Sequence, residues 1–330
     1  MVSNLRSSQQ RFIASESPQH QVLMPLLYFE IFSYPLTFEE IFQFSQYPSN
    51  DPTVLKNTLD AMVNEGILFK HKDFYLTCDS KEWVDRRMDN NQRAAKFIKR
   101  ARWMTQVIRR FPFVRAVILS GSLSKNVMPK DGDVDYFIIT QPGRLWIART
   151  FLVLFKKLFL LNSKKYFCVN YFIDEDHLEI EEKNRFTATE IATLLPVYNA
   201  QLYDRFYQAN SWIKNYLPHS HQYSSAEIQP ASKPLIRRIL EGMLSGKIGD
   251  QLDIFFMKKT IQFWNKKFKT LNPNNFSIAL KSRRYVSKHH PQDFQHKVMN
   301  AYEQCIQRFE ERQQIQLERS GIWQLKKESQ

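Results

Sequence analysis

Apolar residues recur at helical spacing in the N-terminal part of the chain, after a polar segment, residues 1–20, that predicts a flexible tail. Thr37 and Glu40 have the spacing of a capping box and predict the start of a second helix, and a third helix follows. Two short apolar runs, residues 67–70 and 74–77, then predict a β-hairpin.

Three helices followed by a hairpin resemble a winged helix-turn-helix domain, here covering residues 21–80. The resemblance implies DNA as a partner, bound through the third helix. That helix exposes Lys56 together with Asp60 and Glu65, which is not the basic surface that phosphate contacts need. A structural or protein-contact role therefore stays open beside DNA binding.

The segment after this module carries the strongest chemical signal. A β-branched apolar run, residues 113–120, predicts a buried strand that ends at Gly121 and Ser122. If a helix begins at this turn, its free N–H groups form a cradle for phosphate. The hydroxyl of Ser122 and the charge of Lys125 would add to that cradle.

Two carboxylates stand at the start of the next apolar run, residues 134–140. Asp133 and Asp135 are two residues apart, so in a strand they project from the same face. Like charges this close are costly to bury unless a cation neutralises them. Carboxylate oxygens suit Mg²⁺, which commonly bridges protein carboxylates and substrate phosphates. Together with the phosphate cradle, the pair predicts phosphoryl or nucleotidyl transfer with two Mg²⁺ ions.

These residues resemble the nucleotidyltransferase superfamily of DNA polymerase β-like enzymes, and most closely its small bacterial members, which include antibiotic nucleotidyltransferases. Members show a Gly-Ser turn and then a strand in which two Asp alternate with apolar residues. The resemblance implies that Asp133 and Asp135 hold the metal ions. It also implies that Gly121 and Ser122 cradle the β- and γ-phosphates of ATP or another nucleoside triphosphate, assisted by Lys125.

The superfamily usually places a third carboxylate on a later strand. The strand predicted over residues 165–173 has Asn170 at that position. An amide oxygen can bind a metal or orient a ligand, but it cannot act as a strong general base. Acidic residues that could substitute in another register lie just beyond, namely Asp174, Glu175, Asp176 and Glu179.

Two functions follow from this resemblance. The first is transfer of a nucleoside monophosphate, most simply AMP from ATP, to a hydroxyl or phosphate acceptor that is a small molecule, a protein or RNA. Asp133, Asp135 and Asn170 would then be the catalytic positions. The second is a catalytically impaired nucleotide-binding regulator, or an antitoxin-like partner protein, that uses the winged helix to contact DNA or protein.

The expected fold is α/β (α+β), built around a small mixed sheet. The nucleotidyltransferase domain with its leading helix is predicted over residues 81–195, after the winged-helix-like domain. An α-helical region, residues 196–330, is predicted to follow it. No HExxH, GxxxxGK[ST] or GxGxxG pattern occurs, so metalloprotease, P-loop NTPase and dinucleotide-oxidoreductase functions lose their usual support.

Composition and charge set the expected surroundings. Lys and Arg number 47 against 33 Asp and Glu, a net charge of +14 that favours polyanionic partners. A basic cluster from Lys281 to His290 is expected to face a triphosphate, an RNA acceptor or solvent. Three cysteines without a CxxC pair are typical of a reducing cytoplasm. No apolar run reaches the roughly 20 residues of a membrane span, so no membrane partner is expected.

Overall fold

The computed structural model describes residues 11–163, 165–223, 228–231, 234–269, 279–289 and 294–319. The architecture is mixed α/β, as the sequence predicts. The N-terminal elements are β1 (Arg11–Ile13), α1 (Pro18–Glu30), α2 (Phe38–Phe44), α3 (Thr53–Asn64), β2 (Phe69–His71) and β3 (Phe74–Leu76).

The first helices begin where local capping chemistry places them. The Thr37 side chain accepts a hydrogen bond from the Glu40 N–H, and the Glu40 carboxylate accepts one from the Thr37 N–H, which confirms the predicted capping box. β2 and β3 pair antiparallel across a short turn, which confirms the predicted hairpin. The elements expected of the N-terminal module are therefore present in the expected order.

The polar N-terminal segment is not a tail over the part that the structure describes. β1 pairs in parallel with β10 (Ile315–Leu317), and α1 already begins at Pro18. Ile13 is buried, and the His20 ring hydrogen-bonds the Glu318 carbonyl at 2.9 Å. The prediction of a flexible tail through residue 20 fails here because the stabilising partner lies at the far end of the chain, where no local pattern reveals it.

A six-stranded mixed sheet, counted over the described residues, forms the centre of the molecule. Its strands are β4 (Val114–Ser120), β5 (Asp135–Thr140), β6 (Cys168–Asp174), β7 (Leu195–Tyr198), β8 (Ser282–Arg283) and β9 (Val286–Lys288). The spatial order is β7-β4-β5-β6-β9-β8, in which β5 and β6 are parallel and the other neighbours are antiparallel.

Helices connect and cover these strands. They are α4 (Lys81–Ile108), α5 (Gly121–Ser124), α6 (Leu145–Phe159), α7 (Arg185–Ala192), α8 (Ala200–Ala209), α9 (Leu235–Met243), α10 (Gly246–Lys267) and α11 (Phe294–Gln313), with a 3₁₀ turn at Ser211–Asn215. Of the helices in the described ranges, none is long and apolar enough to cross a membrane.

Both faces of the sheet are covered. Along β5, Phe137 and Ile139 belong to one buried cluster, while Tyr136 and Ile138 belong to another on the opposite face. The first cluster also contains residues of α1, α2, α3 and α11, so the N-terminal helices and the C-terminal helix share one core with the sheet. Burial on both faces explains why β5 reads as a continuous apolar run.

The C-terminal region, predicted to be α-helical, also contributes strands. β9 pairs with β6, with Tyr171 opposite Lys288, so residues beyond 280 complete the central sheet. These strands are short and basic, and their register depends on partners in β6, so local periodicity does not show them. β7 likewise forms a strand where the α-helical region was predicted to begin, at residue 196. Its Pro196 suits a strand at the edge of the sheet, where a missing N–H costs little.

Candidate active site

One edge of the sheet brings together the residues that the sequence singles out. β4 ends at Ser120, which pairs with Asp135 at the start of β5, and Asp135 pairs in turn with Cys168 at the start of β6. The turn after β4, the start of β5 and the start of β6 therefore lie side by side. This juxtaposition follows from the antiparallel β4–β5 pair and the parallel β5–β6 pair.

Gly121 opens the short helix α5 directly after β4. Its φ angle is +69°, and a Cβ atom at this position would lie 2.5 Å from Asp135 Oδ2. Glycine is therefore needed for two reasons, the left-handed backbone and the close approach of the carboxylate. Within α5, the Ser124 hydroxyl donates a hydrogen bond to the Gly121 carbonyl at 3.0 Å, which closes this short turn.

Asn170 lies beside Asp135, at the third position of the predicted site. Its Nδ2 donates a hydrogen bond to Asp135 Oδ1 at 2.8 Å. The β5–β6 pairing shifts register here, so that Tyr136 faces Val169 while Phe137 faces Tyr171. Asn170 is the extra residue of this bulge.

The bulge also changes what β6 presents. Because Asn170 breaks the usual alternation, it and its neighbour Tyr171 both line the same cavity. The local geometry thus gives β6 two consecutive residues on one face, an amide beside Asp135 and an aromatic ring beyond it.

Asp135 sits in an unfavourable place for a negative charge. Burial, with smaller contributions from the charges of Asp133 and Glu190, raises the pKa of this carboxyl to about 6, although Cys168 and Lys125 act to lower it. A carboxylate desolvated near two other acids is stabilised by a cation. The local electrostatics therefore favour a bound positive charge at this edge.

Cys168 is a neighbour that the sequence analysis did not single out. Burial raises the pKa of its thiol to about 12, with Asp135 adding to the effect. The signal was available, because Cys168 precedes Asn170 by two residues on the same predicted strand. A neutral thiol beside Asp135 supplies a hydrogen-bond donor but no charge.

Lys125 is engaged by protein groups. Its Nζ donates hydrogen bonds to Glu190 Oε1 at 2.9 Å and to the Gly121 carbonyl at 3.2 Å. Its own carbonyl accepts a hydrogen bond from the Tyr34 hydroxyl at 3.0 Å, which ties the loop after α1 to this turn. Glu190, on α7, is a second neighbour that no local sequence pattern indicates.

Asp133 stands slightly apart from this group. β5 begins at Asp135, so Asp133 precedes the strand and is partly exposed. Asp133 does not line the cavity described below. The other residues of the predicted site do line it, namely Gly121, Ser122, Lys125, Asp135 and Asn170. The influence of Asp133 on the pKa of Asp135 places it close enough to act on the same charge.

The shared feature of this edge is a large cavity of about 610 Å³. The site residues line one part of it, and aromatic and aliphatic side chains from α1, the sheet, α7, α8 and α11 line the rest. A cavity of this size suits a small-molecule ligand.

The basic cluster of the C-terminal region is mostly neutralised. Lys281 Nζ donates to Glu181 at 2.7 Å and to Glu182 at 3.1 Å, and Arg283 donates to Glu181 at 3.1 Å. Lys288 lines the cavity. His290 lies outside the described residues.

The donor set at this edge suits a divalent cation only in part. Two carboxylates, Asp133 and Asp135, are close in sequence and in electrostatic influence. Within the described ranges, however, no group of three or more His, Cys, Asp or Glu side chains is arranged to hold a metal ion. A cation here would rely on the two carboxylates, an amide oxygen and its substrate.

Comparisons of the chain with protein-family models, with curated proteins and with solved structures found no match.

Proposed function

We propose that this protein is a Mg²⁺-dependent nucleotidyltransferase that transfers a nucleoside monophosphate, most simply AMP from ATP, to an acceptor hydroxyl. One observation carries the proposal: the Gly121 turn packs so closely on Asp135 that only glycine fits, and Asn170 hydrogen-bonds the same carboxylate beside a ligand-sized cavity. Turn, carboxylate and third-position residue are the parts that such transfer requires.

Each residue of the site would have a separate role in binding Mg²⁺ or phosphate. Asp133 and Asp135 would hold Mg²⁺, which when bound lines up the polyphosphate and neutralises developing charge. The backbone at Gly121 and Ser122, with Lys125 nearby, would bind the β- and γ-phosphates.

The transfer step balances without further reactants. The acceptor oxygen forms a bond to the α-phosphorus, the bond from that phosphorus to the bridging oxygen breaks, and pyrophosphate leaves. The hydroxyl proton passes to water, because the amide of Asn170 cannot accept it. A slow reaction is therefore expected.

Substitution of Asp135 tests the transferase. We expect Asp135→Asn to lower Mg²⁺-dependent label transfer from α-labelled ATP into a small-molecule extract by roughly 10³-fold, since a metal-holding carboxylate contributes several kcal/mol to the transition state. Asp131→Asn, an exposed acid in the same loop, is the matched control and keeps full activity. Equal activity in both variants would remove the proposal.

A second candidate is a nucleotide-binding regulator that does not turn ATP over. The hydrogen bond from Asn170 to Asp135 favours it, because this amide occupies the place of the third carboxylate. Protein or DNA contact through the N-terminal helices would then transmit the bound state, and an antitoxin-like partner is one form of this function. Co-purification of a stoichiometric polypeptide that ATP labels would favour that form.

Substitution of Asn170 separates the two candidates. If the wild-type protein is a silent regulator, Asn170→Asp completes the acidic set, and we expect Mg²⁺-dependent pyrophosphate release to appear in the variant alone. Asn162→Asp, on an exposed loop, is the matched control. Pyrophosphate release by the wild-type protein contradicts the regulator.

A further inference from the structure

The lining of the cavity changes from polar to aromatic next to Asp135. Strand residues two apart share a face, so Phe137 follows Asp135 on the cavity side at about 7 Å. The Phe137 ring stacks on Tyr171, with centroids 5.0 Å apart, and its centroid lies 5.3 Å from that of Phe206. The rings of Phe137, Tyr171 and Phe206 thus form an aromatic floor of the cavity directly beside the Asp135 carboxylate.

Other elements enclose this floor with apolar side chains. Tyr28 and Phe29 come from α1, Phe186 from α7 and Phe294 from α11, and the last two rings lie 6.1 Å apart. Aromatic rings on several sides favour a flat, apolar ligand body that stacks or packs edge-on. A phosphate chain alone would leave most of this wall without a partner.

The charged groups of the wall are largely neutralised by each other or by neighbours. Arg87 donates to Glu40 at 2.7 Å, Lys125 donates to Glu190 at 2.9 Å, and Lys281 donates to Glu182 at 3.1 Å. Beyond Asp135, the other charged residues of the described wall are Lys288 and the exposed Arg86, so a ligand with its own net charge would find few counter-charges. The wall favours an uncharged body.

Two acceptor atoms on the wall have no partner within the part of the chain that the structure describes. They are Glu182 Oε2 and Gln295 Oε1, both buried. Both oxygens are closed to water in this conformation, so a ligand donor gains a hydrogen bond to either one once that side chain turns toward the cavity. A hydroxyl supplies such a donor, as does the exocyclic amino group of a nucleobase, so competition with ATP must separate the two.

We propose that this cavity binds the acceptor, and that the acceptor is an uncharged, ring-bearing apolar alcohol. That the ligand is the acceptor rests on the proposed function, but the chemical class of the ligand rests on the cavity itself. It combines the aromatic wall, the paired charges and the unpartnered acceptor atoms of Glu182 and Gln295.

Binding of 2-naphthol to the full chain tests the ligand class at neutral pH, without ATP or Mg²⁺. Naphthalene, which lacks the hydroxyl, is the matched probe and should bind about tenfold more weakly, the loss of one good hydrogen bond. Phe186→Trp fills the cavity and should weaken naphthol binding at least tenfold. Phe155→Trp, a partly buried ring packed in the other core, should leave it unchanged.

A second variant keeps the test independent of packing. Gln295→Leu removes one unpartnered acceptor with little change in volume, and it should reduce the preference for naphthol over naphthalene. Equal affinity of the two probes, or naphthol binding unaffected by Phe186→Trp in a folded variant, overturns the ligand class.

The acceptor role has its own readout. Label passing from α-labelled ATP to naphthol supports it. If ATP without Mg²⁺ displaces bound naphthol, the cavity is a nucleobase site, and the acceptor role is overturned. Naphthol binding that follows the predicted variants, with no transfer to any acceptor, upholds the ligand class while the proposed function fails.

Discussion

Strand β4 has a buried acid near each of its ends, and the two acids are treated in opposite ways. Near its start, Glu241 accepts hydrogen bonds from Arg115 at 2.7 Å, from Arg237 at 2.8 Å and from the Phe113 N–H at 2.7 Å. Near its end, Asp135 meets an amide, a thiol and other acids. One acid is surrounded by donors and the other is left short of positive charge.

The pKa values express this difference. Burial would raise the pKa of Glu241, yet the hydrogen bonds from Arg115 and Arg237 lower it to about 2. Burial raises the pKa of Asp135 to about 6. An acid that is fully satisfied by the protein serves the fold, whereas one held at a cost beside a cavity is typical of a functional site.

Removal of the satisfied acid should have the largest effect on stability. Glu241→Ala leaves two buried guanidinium groups without their shared carboxylate, and we expect the free energy of unfolding to fall by about 3–5 kcal/mol. Urea unfolding at neutral pH measures it. Glu82→Ala, an exposed acid on α4, should change stability by less than about 0.5 kcal/mol. A loss near that of the control would show that the network contributes little.

A fall in pH should change the contributions of Glu241 and Asp135 to folding stability in opposite directions. The folded pKa of Glu241 is below its unfolded value of 4.5, so its contribution is present above pH 4.5 and is lost as the pH falls toward 2. The folded pKa of Asp135 is above its unfolded value of 3.8, so protonation below pH 6 favours the folded state.

Unfolding titrations between pH 7 and pH 2 measure these contributions. We expect the acid-dependent loss in the wild type to exceed that in Glu241→Gln by about 3 kcal/mol. Identical pH profiles for the two proteins would contradict the assignment of this pKa.

The close approach at Gly121 should give the smallest of the three effects. Gly121→Ala places a methyl group against the Asp135 carboxylate on a left-handed backbone, and we expect a loss of about 2–3 kcal/mol. Gly66→Ala shares the positive φ, at +72°, but a Cβ there meets nothing within 4 Å, so it should cost only about 1 kcal/mol. The difference between the variants isolates the carboxylate contact, and equal losses would deny it.

Sequence patterns reveal most where the determinants are local. The capping box at Thr37 and Glu40 and the β2–β3 hairpin depend on residues a few positions apart, and both are confirmed. Asn126, just after the Gly121 turn, has a φ angle of +56°, a left-handed backbone that asparagine adopts more readily than most residues. These features depend on backbone preferences that any short segment carries.

Features that depend on distant partners escape such patterns. Glu190 reaches Lys125 from α7, and β9 joins β6 across more than a hundred residues. Asp133 shows a further limit, because alternation in an ideal strand predicts one shared face, whereas β5 begins only at Asp135. The local sequence identified much of the candidate site, but not its charge balance or the aromatic enclosure.

The parallel pair of β1 with β10 has a consequence for how the chain is made. Residues 11–13 are synthesised well before their partner strand, residues 315–317. During translation the edge of β1 has no native strand to join, and contacts between such distant segments also slow folding because a long loop must close first. Closure of this pair therefore waits until β10 has been synthesised, and the rest of the core can form before it.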